Sequence, residues 1–537
     1  MKKTVLFIAL TLSISGVNAQ SMSTTNLPII VINTVAGDGE IPDDPKMVAS
    51  MGIIYNGPGM PNSATDPFNH YDGPIGIETR GNSTQDFEKK TYSIELRNPV
   101  DGSDSSAALL GMPKEEDWIL HAMVIDKSQL RIPMSFYLAQ RMGHYASRWV
   151  YCELFLDGEY RGLYILTERI KRDKNRVDIA KLKSTDIVGD ELSGGYILRI
   201  DWIDDDAQGI ETNKPSLEGV PLFLQYYYPR AENIQPEQSA YILNYINEFQ
   251  DALWSPTYHN SLGKHYSRYI DMTAFADFLI INEISKNSDG YKLSSYIHKD
   301  KTSNGGKLKA GPIWDFDQTY GVSTVCDCND FEGWTYMQGG GCEDFESMPL
   351  WWSKLMDDPV FTNHLKCRWE TLRAGPLHTD TLFNWIDDQR LYIQEAVDRN
   401  FLRWNDFIGE PIWYEPSPIP STYDGEIVYM KAWIMNRMNW LDANMPGDCS
   451  LDMVGLEEED QIEISVFPNP SNGLFTIQFP NDRVEIRVFN LQGALLLEDQ
   501  LVYGTGNIDL REFSAGQYLL QIQSDTWVKT ESLIINN

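Results

Sequence analysis

The sequence predicts an α+β fold, in which a large mixed domain is followed by a small all-β sandwich. Short runs of alternating apolar residues, separated by turn dipeptides, indicate strands in the first third of the 537-residue chain. Apolar residues at three- and four-residue steps indicate helices between 236 and 286 and again between 350 and 445. After residue 461 the pattern returns to short strands and turns, which is typical of a compact β-sandwich of about 70 residues.

The first part of the large domain is predicted to be rich in strands. Strands are expected over 27–35 and within 74–97, where apolar and polar residues alternate. A helix is expected over 127–143, because its apolar residues recur every three or four positions. Residues 149–168 predict a β-hairpin whose turn is the dipeptide Asp157-Gly158.

The second part of the large domain is predicted to be mainly helical. Helices are expected over 236–252 and 271–286, and two short strands over 294–298 and 307–316 follow the second helix. The region 350–445 is predicted to be mostly helical and is rich in tryptophan.

Composition and charge exclude several classes of function. Hydrophobic residues make up 42% of the chain, which is enough to form a core and too much for a mostly disordered protein. The net charge of −33 argues against binding to nucleic acid or adhesion to anionic membranes, because both depend on Lys and Arg. Beyond the N-terminus there is no apolar run long enough for a transmembrane segment.

The N-terminus has the pattern of a signal peptide. Lys2 and Lys3 precede an apolar stretch over 5–12, and Val17-Asn18-Ala19 forms a small-residue cleavage site. We therefore expect residues 1–19 to be removed during export through the inner membrane, and the protein to be secreted or attached to the outer surface.

Cysteines and acidic residues mark a loop and a linker. Cys326, Cys328 and Cys342 surround a Gly-rich loop without metal-site spacing, so we expect a disulfide that pins the loop. The acidic run Glu457-Glu458-Glu459-Asp460 predicts a solvated linker. The expected domains are therefore 27–445 and 462–537, separated by a linker over 446–461.

Carboxylates are the strongest indication of chemistry, since the common nucleotide and hydrolase motifs are missing. Asp289 follows the predicted helix over 271–286, and Asp315 and Asp317 lie at the end of the second short strand. Protein kinases place a substrate-orienting Asp and a metal-binding Asp in the same order. Asp315 and Asp317 are two residues apart, so on an extended strand they would face one side and could share a metal ion. Turn and cap roles for these residues remain an alternative.

A kinase also needs a cation over the phosphates, held in place by a carboxylate. Lys90 follows the polar loop after Arg80 and begins a predicted strand, where such a lysine is expected. Glu153 and Glu168 lie on the predicted hairpin, and either could pair with Lys90. Surface roles for all three remain an alternative.

Several motifs together resemble the spore-coat-protein-H (CotH) family of atypical secreted or surface protein kinases, which have a diverged kinase-like fold. The similarity runs in order along about residues 27–440. The motifs are Arg80-Gly81-Asn82-Ser83 with Lys89-Lys90-Thr91-Tyr92, Trp118-Ile119-Leu120 with Asp126 and Leu130-Arg131, the hairpin from Glu153 to Glu168, Gly194-Gly195-Tyr196-Ile197-Leu198, Asn287-Ser288-Asp289-Gly290, and Trp314-Asp315-Phe316-Asp317 with Gly321.

The resemblance implies a function and a set of site residues. The implied reaction is transfer of the ATP γ-phosphoryl group to a Ser or Thr hydroxyl of a protein, with Mg²⁺ or Mn²⁺. Asp289, Lys90 and Glu168 would be the catalytic residues, and Asp315 and Asp317 would bind the metal ion. The nucleotide would be held by a set of four residues: Arg80, Lys90, Glu153 and Ser294.

One position departs from the protein-kinase pattern and keeps other functions open. Kinases have Asn five residues after the catalytic Asp, whereas this chain has Ser294. A surface pseudokinase or adhesin that binds a ligand such as a glycan is therefore an alternative, and the tryptophan-rich region around Trp351, Trp352 and Trp369 is compatible with it. A glycoside hydrolase with paired carboxylates is a further alternative.

The C-terminal region resembles the sorting domain of the type IX secretion system of Bacteroidetes-type bacteria. The motifs that carry this resemblance are Val466-Phe467-Pro468-Asn469-Pro470, Leu491-Gln492-Gly493 and Gly516-Gln517-Tyr518-Leu519-Leu520. The resemblance implies that the type IX secretion machinery recognises this tail and moves the chain across the outer membrane.

Overall fold

The computed structural model describes two stretches of the chain. They are residues 24–451, apart from 38, 205, 218, 338–347 and 406, and residues 465–536, apart from 480–482, 491–492, 503 and 525–527. The predicted signal peptide, Cys342 and most of the predicted linker lie outside the described residues. Among the helices described, none is long and apolar enough to cross a membrane.

In the described part of the N-terminal region, seven strands close into a barrel. The strands are β1 (Ile29–Thr34), β2 (Met47–Ile54), β3 (Tyr71–Arg80), β4 (Thr91–Leu96), β5 (Asp117–His121), β6 (Trp149–Leu156) and β7 (Glu159–Glu168). Their order around the barrel is β1-β2-β3-β4-β5-β7-β6, and the parallel pairing of β1 with β6 closes it. A single helix, α1 (Arg131–Arg141), connects β5 to β6.

Local sequence explains the predicted parts of this barrel. The β6–β7 hairpin turns at Asp157 and Gly158, which both have positive φ angles of 49° and 79°, as a two-residue hairpin turn requires. The interior is filled by alternating residues such as Ile30, Ile32 and Ile94, all fully buried. The alternation predicted β1, β3 and β4, whereas β2 and β5 and the closure of the barrel were not predicted.

The second part of the large domain combines a five-stranded antiparallel sheet with helices. The sheet order is β12-β11-β8-β10-β9. Its strands are β8 (Tyr196–Ile200), β9 (Gly209–Pro215), β10 (Pro221–Tyr228), β11 (Ser295–Lys299) and β12 (Leu308–Ala310). The helices are α2 (Gly189–Leu192), α3 (Pro236–Trp254), α4 (Met272–Ser285), α5 (Trp351–Met356), α6 (Pro359–Arg373), α7 (Thr379–Arg403) and α8 (Tyr423–Asn444).

Helix α4 is the central element of this part. All of its residues except Thr273 are buried, so the helix is covered on every side, as expected for a core helix. Its N-terminus is capped by Asp271, whose side chain accepts a hydrogen bond from the Ala274 amide at 2.9 Å. The helix ends at Lys286, which has a positive φ of 45° and turns the chain toward Asp289.

The C-terminal region forms two antiparallel sheets around their own apolar core. The strands are β13 (Ser465–Phe467), β14 (Leu474–Gln478), β15 (Arg483–Asn490), β16 (Leu495–Val502), β17 (Thr505–Asp509), β18 (Gly516–Gln523) and β19 (Val528–Ile535). They are arranged as β13-β14-β17 and β16-β15-β18-β19. Residues from both sheets, including Phe475, Val488 and Leu520, share one buried cluster, so the all-β region predicted from 462 onward is confirmed.

Two details differ from the sequence predictions. The strand predicted over 307–316 ends at Ala310, so the segment containing Asp315 is not extended. A disulfide joins Cys367 to Cys449 and links α6 to the chain beyond α8, a pairing that the sequence did not indicate. Cys326 is disulfide-bonded, in agreement with the disulfide expected at this loop, and Cys328 of the same cluster is a buried thiol.

Candidate active site

A polar cavity of about 660 Å³ is lined by residues of the barrel and of the five-stranded sheet. The cavity brings together five residues that the sequence placed in the site: Arg80, Asp289, Ser294, Asp315 and Asp317. Arg80 ends β3, whereas the other four lie just after α4 or just after β12. Segments far apart in the chain therefore converge on one concave site, whose size suits a small ligand.

Asp289 is held in a tight turn directly after α4. Its amide donates to Oδ1 of Asn287 at 3.1 Å, and its carbonyl accepts the Leu293 amide at 3.0 Å. Gly290 is required by space, because a Cβ there would lie 2.8 Å from Oδ1 of Asn282. The turn is mostly buried, and Asp289 itself is half-buried and faces the cavity. The turn that carries Asp289 is therefore rigid and is not a flexible exposed loop.

A buried ion pair anchors this turn to the helices. Both side chains of Glu283 on α4 and Arg437 on α8 are fully buried, and Nη2 of Arg437 lies 3.0 Å from Oε2 of Glu283. Oε1 of Glu283 also accepts the hydroxyl of Tyr291, two residues after Asp289, at 2.9 Å. The pair therefore connects the core of the helical region to the turn that carries Asp289.

Loss of this ion pair is expected to destabilise the protein strongly. Arg437→Met leaves the Glu283 carboxylate buried without its partner, so we expect the free energy of unfolding to fall by about 3 kcal/mol. Arg390→Met breaks the exposed pair with Asp424 and should change it by less than about 1 kcal/mol. Urea unfolding of the two variants compares them, and an equal loss in both would contradict a special role for Glu283.

Asp315 and Asp317 reach the cavity in a different way from that predicted. The backbone at Asp315 has a φ of 53°, in the left-handed region that residues other than glycine rarely adopt. The two residues therefore do not lie on an extended strand. Ser294 also has a positive φ, of 44°, and its hydroxyl donates to Oδ2 of Asp315 at 2.7 Å. Backbone strain of this kind is often found at active sites and ligand-binding sites.

The carboxylates of the cavity raise one another's pKa. Burial raises the pKa of Asp289 to about 7, and the charge of Asp315 adds to the rise. Burial also raises the pKa of Asp317 well above its usual range, with further contributions from Asp315 and Asp289. The pKa of Asp315 is raised by burial as well, but Arg80 and the Ser294 hydroxyl oppose this rise. Asp315 is therefore the carboxylate of the pair with the more favourable surroundings for a negative charge.

These carboxylates have the chemistry of a site for a hard divalent cation. Carboxylate oxygens are the preferred ligands of Mg²⁺ and Mn²⁺, and repulsion between buried carboxylates is relieved by a cation. Magnesium sites commonly use one or two carboxylates together with water and substrate phosphates. Asp315 and Asp317 fit such a site. Among the described residues, three acidic groups within 4.8 Å of one another occur only at Glu115, Glu116 and Asp117, where the ammonium of Lys171 already binds.

Arg80 supplies positive charge to the cavity. Its guanidinium lies 5.6 Å from the centre of the Trp314 ring, and it forms no ion pair with any residue that the structure describes. The loop that follows it also lines the cavity, and Gly81 has a φ of 107° there. A Cβ at Gly81 would lie 2.1 Å from Oγ1 of Thr84, so the tight path of this loop needs glycine.

The predicted pairing of Lys90 with Glu153 or Glu168 is not formed. The ammonium of Lys90 donates to the carbonyl of Gln85, and Lys90 does not line the cavity. Glu153 is fully buried and accepts two hydrogen bonds from Arg399, both at 2.8 Å. Glu168 is fully buried and accepts hydrogen bonds from Arg148 at 3.0 and 2.6 Å. Each glutamate already has an arginine partner, so the geometry gives both a structural role.

The buried lysine is Lys89 rather than Lys90. Its ammonium donates to the Leu163 carbonyl at 2.7 Å and lies 5.0 Å from the centre of the Tyr164 ring. Burial lowers its pKa to about 7. Lys89 thus packs against the β7 strand and does not line the cavity.

Comparison with known proteins decides the family. The model of the family described as CotH kinase protein matches residues 77–441, more than half of the chain. The chain belongs to the CotH kinase protein family. The matched region includes every cavity residue discussed above, and β1 and β2 of the barrel lie before it.

The tail and the other comparisons add further findings. The model described as a secretion system C-terminal sorting domain matches residues 465–536, so the predicted type IX sorting domain is confirmed. A search of curated proteins finds no match. One solved structure, a DUF3244 family protein with an immunoglobulin-like β-sandwich from Bacteroides vulgatus, has 21% identity and covers 14% of this chain and 88% of that chain, with a TM-score of 0.13.

Sequence reasoning missed several residues of the CotH-family cavity and its support, among them Asp201, His121 and Asp126. Asp201, directly after β8, lines the cavity, and its Oδ2 lies 3.0 Å from Nη1 of Arg199. His121 at the end of β5 also lines it, and burial, aided by Arg80 and Lys89, lowers its pKa to about 3. Asp126 was quoted only as part of a motif. The sequence signal that could have identified Asp201 is its position directly after a buried strand.

Asp126 supports the site from the barrel side. It forms a fully buried ion pair with Arg131 at the start of α1, at 2.6 Å. Nε of Arg131 donates to the Thr319 carbonyl at 2.9 Å, two residues after Asp317. The ion pair therefore ties the first helix of the CotH-family domain to the segment that carries Asp315 and Asp317.

Arg80 is expected to contribute to nucleotide affinity, whereas Lys90 is not. Arg80→Ala removes the cation that lines the cavity, and charge-assisted hydrogen bonds contribute about 1.5–3 kcal/mol each. We therefore expect affinity for ATP with Mg²⁺, measured by calorimetry, to fall at least about tenfold. Lys90→Ala removes a neighbouring cation outside the cavity and should change the affinity less than about twofold. A larger loss of affinity in Lys90→Ala than in Arg80→Ala would instead support Lys90 as the phosphate ligand.

Proposed function

We propose that this CotH-family protein is an exported protein kinase that transfers the γ-phosphoryl group of ATP to a Ser or Thr hydroxyl of a protein. The observation that carries the proposal is the convergence of Asp289, Ser294, Asp315, Asp317 and Arg80 on one cavity. Membership of the CotH kinase protein family supports it. Phosphoryl transfer depends mainly on positioning and on compensation of charge, and these residue types can provide both.

Each cavity residue has a defined task in this proposal. Asp315 and Asp317 bind the divalent cation, and the Ser294 hydroxyl orients Asp315 through its hydrogen bond of 2.7 Å. Arg80 donates hydrogen bonds to phosphate oxygens. Mg²⁺ or Mn²⁺, when bound, supplies positive charge at the phosphates. The exposed rings of Trp202 and Trp413, which also line the cavity, offer an apolar surface for the adenine base.

Asp289 positions the acceptor hydroxyl. Its carboxylate accepts the hydroxyl proton as the bond from the acceptor oxygen to the γ-phosphorus forms. The bond between that phosphorus and the bridging oxygen of ADP breaks in the same reaction, and ADP leaves. In the metal-free protein the pKa of Asp289 is raised to about 7, close to the working pH that suits a general base.

The adhesin alternative loses one of its supports. Trp351, Trp352 and Trp369 are at most 2% exposed, so they cannot form a stacking surface for sugar rings. Ser294 replaces the asparagine of protein kinases, but its contact with Asp315 gives it a place at the proposed metal site. These three tryptophans are therefore part of the core, and they offer no specific support for glycan binding.

The proposed activity is tested by the intact mass of the purified protein and of candidate acceptor proteins after incubation with ATP and Mg²⁺ or Mn²⁺. We expect a mass gain of one or more phosphoryl groups that disappears with EDTA. Retention on immobilised polysaccharide without any mass gain would favour the adhesin alternative.

The sorting tail is expected to direct secretion without contributing to the cavity. The disulfide of Cys449 with Cys367 means that a truncation should end after Leu451, so that both cysteines remain. The truncated protein should fold and accumulate in the periplasm, whereas the full chain reaches the cell exterior. Cell fractionation measures this, and normal export of the truncated chain would contradict a sorting role for the tail.

A further inference from the structure

A basic groove of about 750 Å³ lies beside the candidate active site. Its lining includes seven Lys or Arg residues and a single carboxylate, that of Asp117. The whole chain has a net charge of −33, so this concentration of positive charge is opposite to the overall balance. Such a local reversal of charge is expected where a protein attracts an anionic partner.

The groove is continuous with the active-site cavity. Arg169, just after β7, and Arg199 on β8 line both the groove and the cavity that contains Asp289. A ligand lying along the groove would therefore reach the mouth of the cavity.

Four of the groove cations lack a partner of opposite charge. In the part of the chain that the structure describes, Arg172, Lys181, Lys183 and Arg230 form no ion pair. Nε of Arg172 is buried without a hydrogen-bond acceptor, although its guanidinium lies 5.6 Å from the centre of the Tyr228 ring.

The remaining cations and the tyrosine wall make the groove rigid. Lys171 binds Glu115, Glu116 and Asp117 at 3.0, 2.6 and 2.9 Å, so this lysine is already neutralised. The hydroxyls of Tyr226 and Tyr227 bond the Ser239 hydroxyl at 2.6 Å and the Ile170 carbonyl at 2.7 Å. These contacts hold the wall of the groove in place, so a ligand would bind a preformed surface.

We propose that this groove binds an Asp- and Glu-rich segment of the acceptor protein and presents the adjacent hydroxyl to Asp289. The inference rests on the proposed kinase function, whose acceptor must approach Asp289 from outside the nucleotide cavity. Arg172, Lys181, Lys183 and Arg230 would pair with acidic side chains, and the tyrosines would contact the peptide backbone and apolar parts. The acceptor class is therefore an acidic segment that contains Ser or Thr.

The test measures peptide binding separately from phosphoryl transfer. Fluorescence anisotropy follows a labelled peptide in which Ser is flanked by Asp and Glu, and a matched peptide with Asn and Gln instead. The groove variant is Lys181→Glu with Lys183→Glu. The control variant, Lys114→Glu with Lys264→Glu, changes two exposed lysines outside the groove and the cavity and has the same net charge.

We expect the acidic peptide to bind the full chain at least about tenfold more tightly than the neutral peptide at low salt, with a smaller difference at high salt. The groove variant should lose at least about tenfold in affinity for the acidic peptide, since two attractions become repulsions. The control variant should bind within about threefold of the unmodified protein. Thermal melting checks that both variants are folded.

Other outcomes separate this inference from the proposed function. Charge-dependent peptide binding without phosphate incorporation from ATP would support the groove and contradict the kinase. Phosphate incorporation into the neutral and acidic peptides with equal kcat/KM would support the kinase and overturn the groove. Displacement of the peptide by ATP in direct competition, or lysine-dependent binding of dextran sulfate but not of the peptide, would also overturn it.

Discussion

Asp289→Asn is expected to lower the rate of phosphoryl transfer by about a thousandfold or more, because both the positioning of the acceptor and the acceptance of its proton are lost. Affinity for ATP with Mg²⁺ should change little, since the proposed metal ligands are Asp315 and Asp317 rather than Asp289. Initial rates with labelled ATP measure the first effect, and calorimetry measures the second.

The same substitution should not destabilise the protein. The pKa of Asp289 is raised in the folded state from its usual 3.8 to about 7. Between these pH values the folded state binds more protons than the unfolded state, so this group lowers stability as the pH rises from about 4 to about 7. With EDTA present, Asp289→Asn should therefore raise the melting temperature at pH 8 and leave it nearly unchanged at pH 4.

A control variant with the opposite expected change in melting temperature is available at Asp66. The Ser63 amide and the Asn56 side chain lower the pKa of Asp66, so Asp66→Asn should lower the melting temperature at pH 8 and less so at pH 4. If Asp289→Asn melts several degrees lower at pH 8 and transfers phosphate at the unmodified rate, Asp289 is a structural turn residue and its proposed catalytic role fails.

Asp315→Asn is expected to reduce metal-dependent ATP binding by at least about a hundredfold, because the loss of a direct ligand exceeds the 10- to 100-fold effect of changing its hydrogen-bond partner. Asp317→Asn should have a smaller effect. Asp315 has Ser294 and Arg80 beside its negative charge, whereas burial and three neighbouring carboxylates oppose ionisation of Asp317.

Ser294→Ala tests the same proposed metal site through the hydrogen-bond partner of Asp315. It removes the hydrogen bond of 2.7 Å to Asp315 and should weaken metal-dependent binding by about tenfold. Calorimetric titration of ATP at several Mg²⁺ concentrations compares the three variants. Unchanged affinity in both aspartate variants would remove the pair from the metal site.

Local patterns in the sequence predicted much of the fold. The hairpin at Asp157-Gly158, the core helix before Asp289 and the short strands of the tail each have a local signature. The closure of the barrel was not predictable in this way. It depends on the parallel pairing of Ile29–Ile32 with residues more than 120 positions later in the chain, and no local period encodes such a contact.

The candidate site divides in the same way. The order of Asp289, Asp315 and Asp317 along the chain predicted three of the carboxylates that line the cavity, although Asp315 has left-handed backbone rather than an extended strand. Lys90 and Glu168 were placed in the site because of charge and position along the chain. Their actual partners, Gln85 and Arg148, depend on how the barrel and its connections pack, which the sequence pattern does not show.

The most direct test of the central claim uses ATP that carries a label on either the γ- or the α-phosphate. The acceptor is an acidic Ser-containing peptide, Mg²⁺ is present, and the label that reaches the peptide is measured. The account predicts that the unmodified protein transfers the γ-label and not the α-label, that EDTA prevents the transfer, and that Asp289→Asn lowers it by about a thousandfold. Transfer of the α-label, or equal transfer of the γ-label by Asp289→Asn and the unmodified protein, would contradict it.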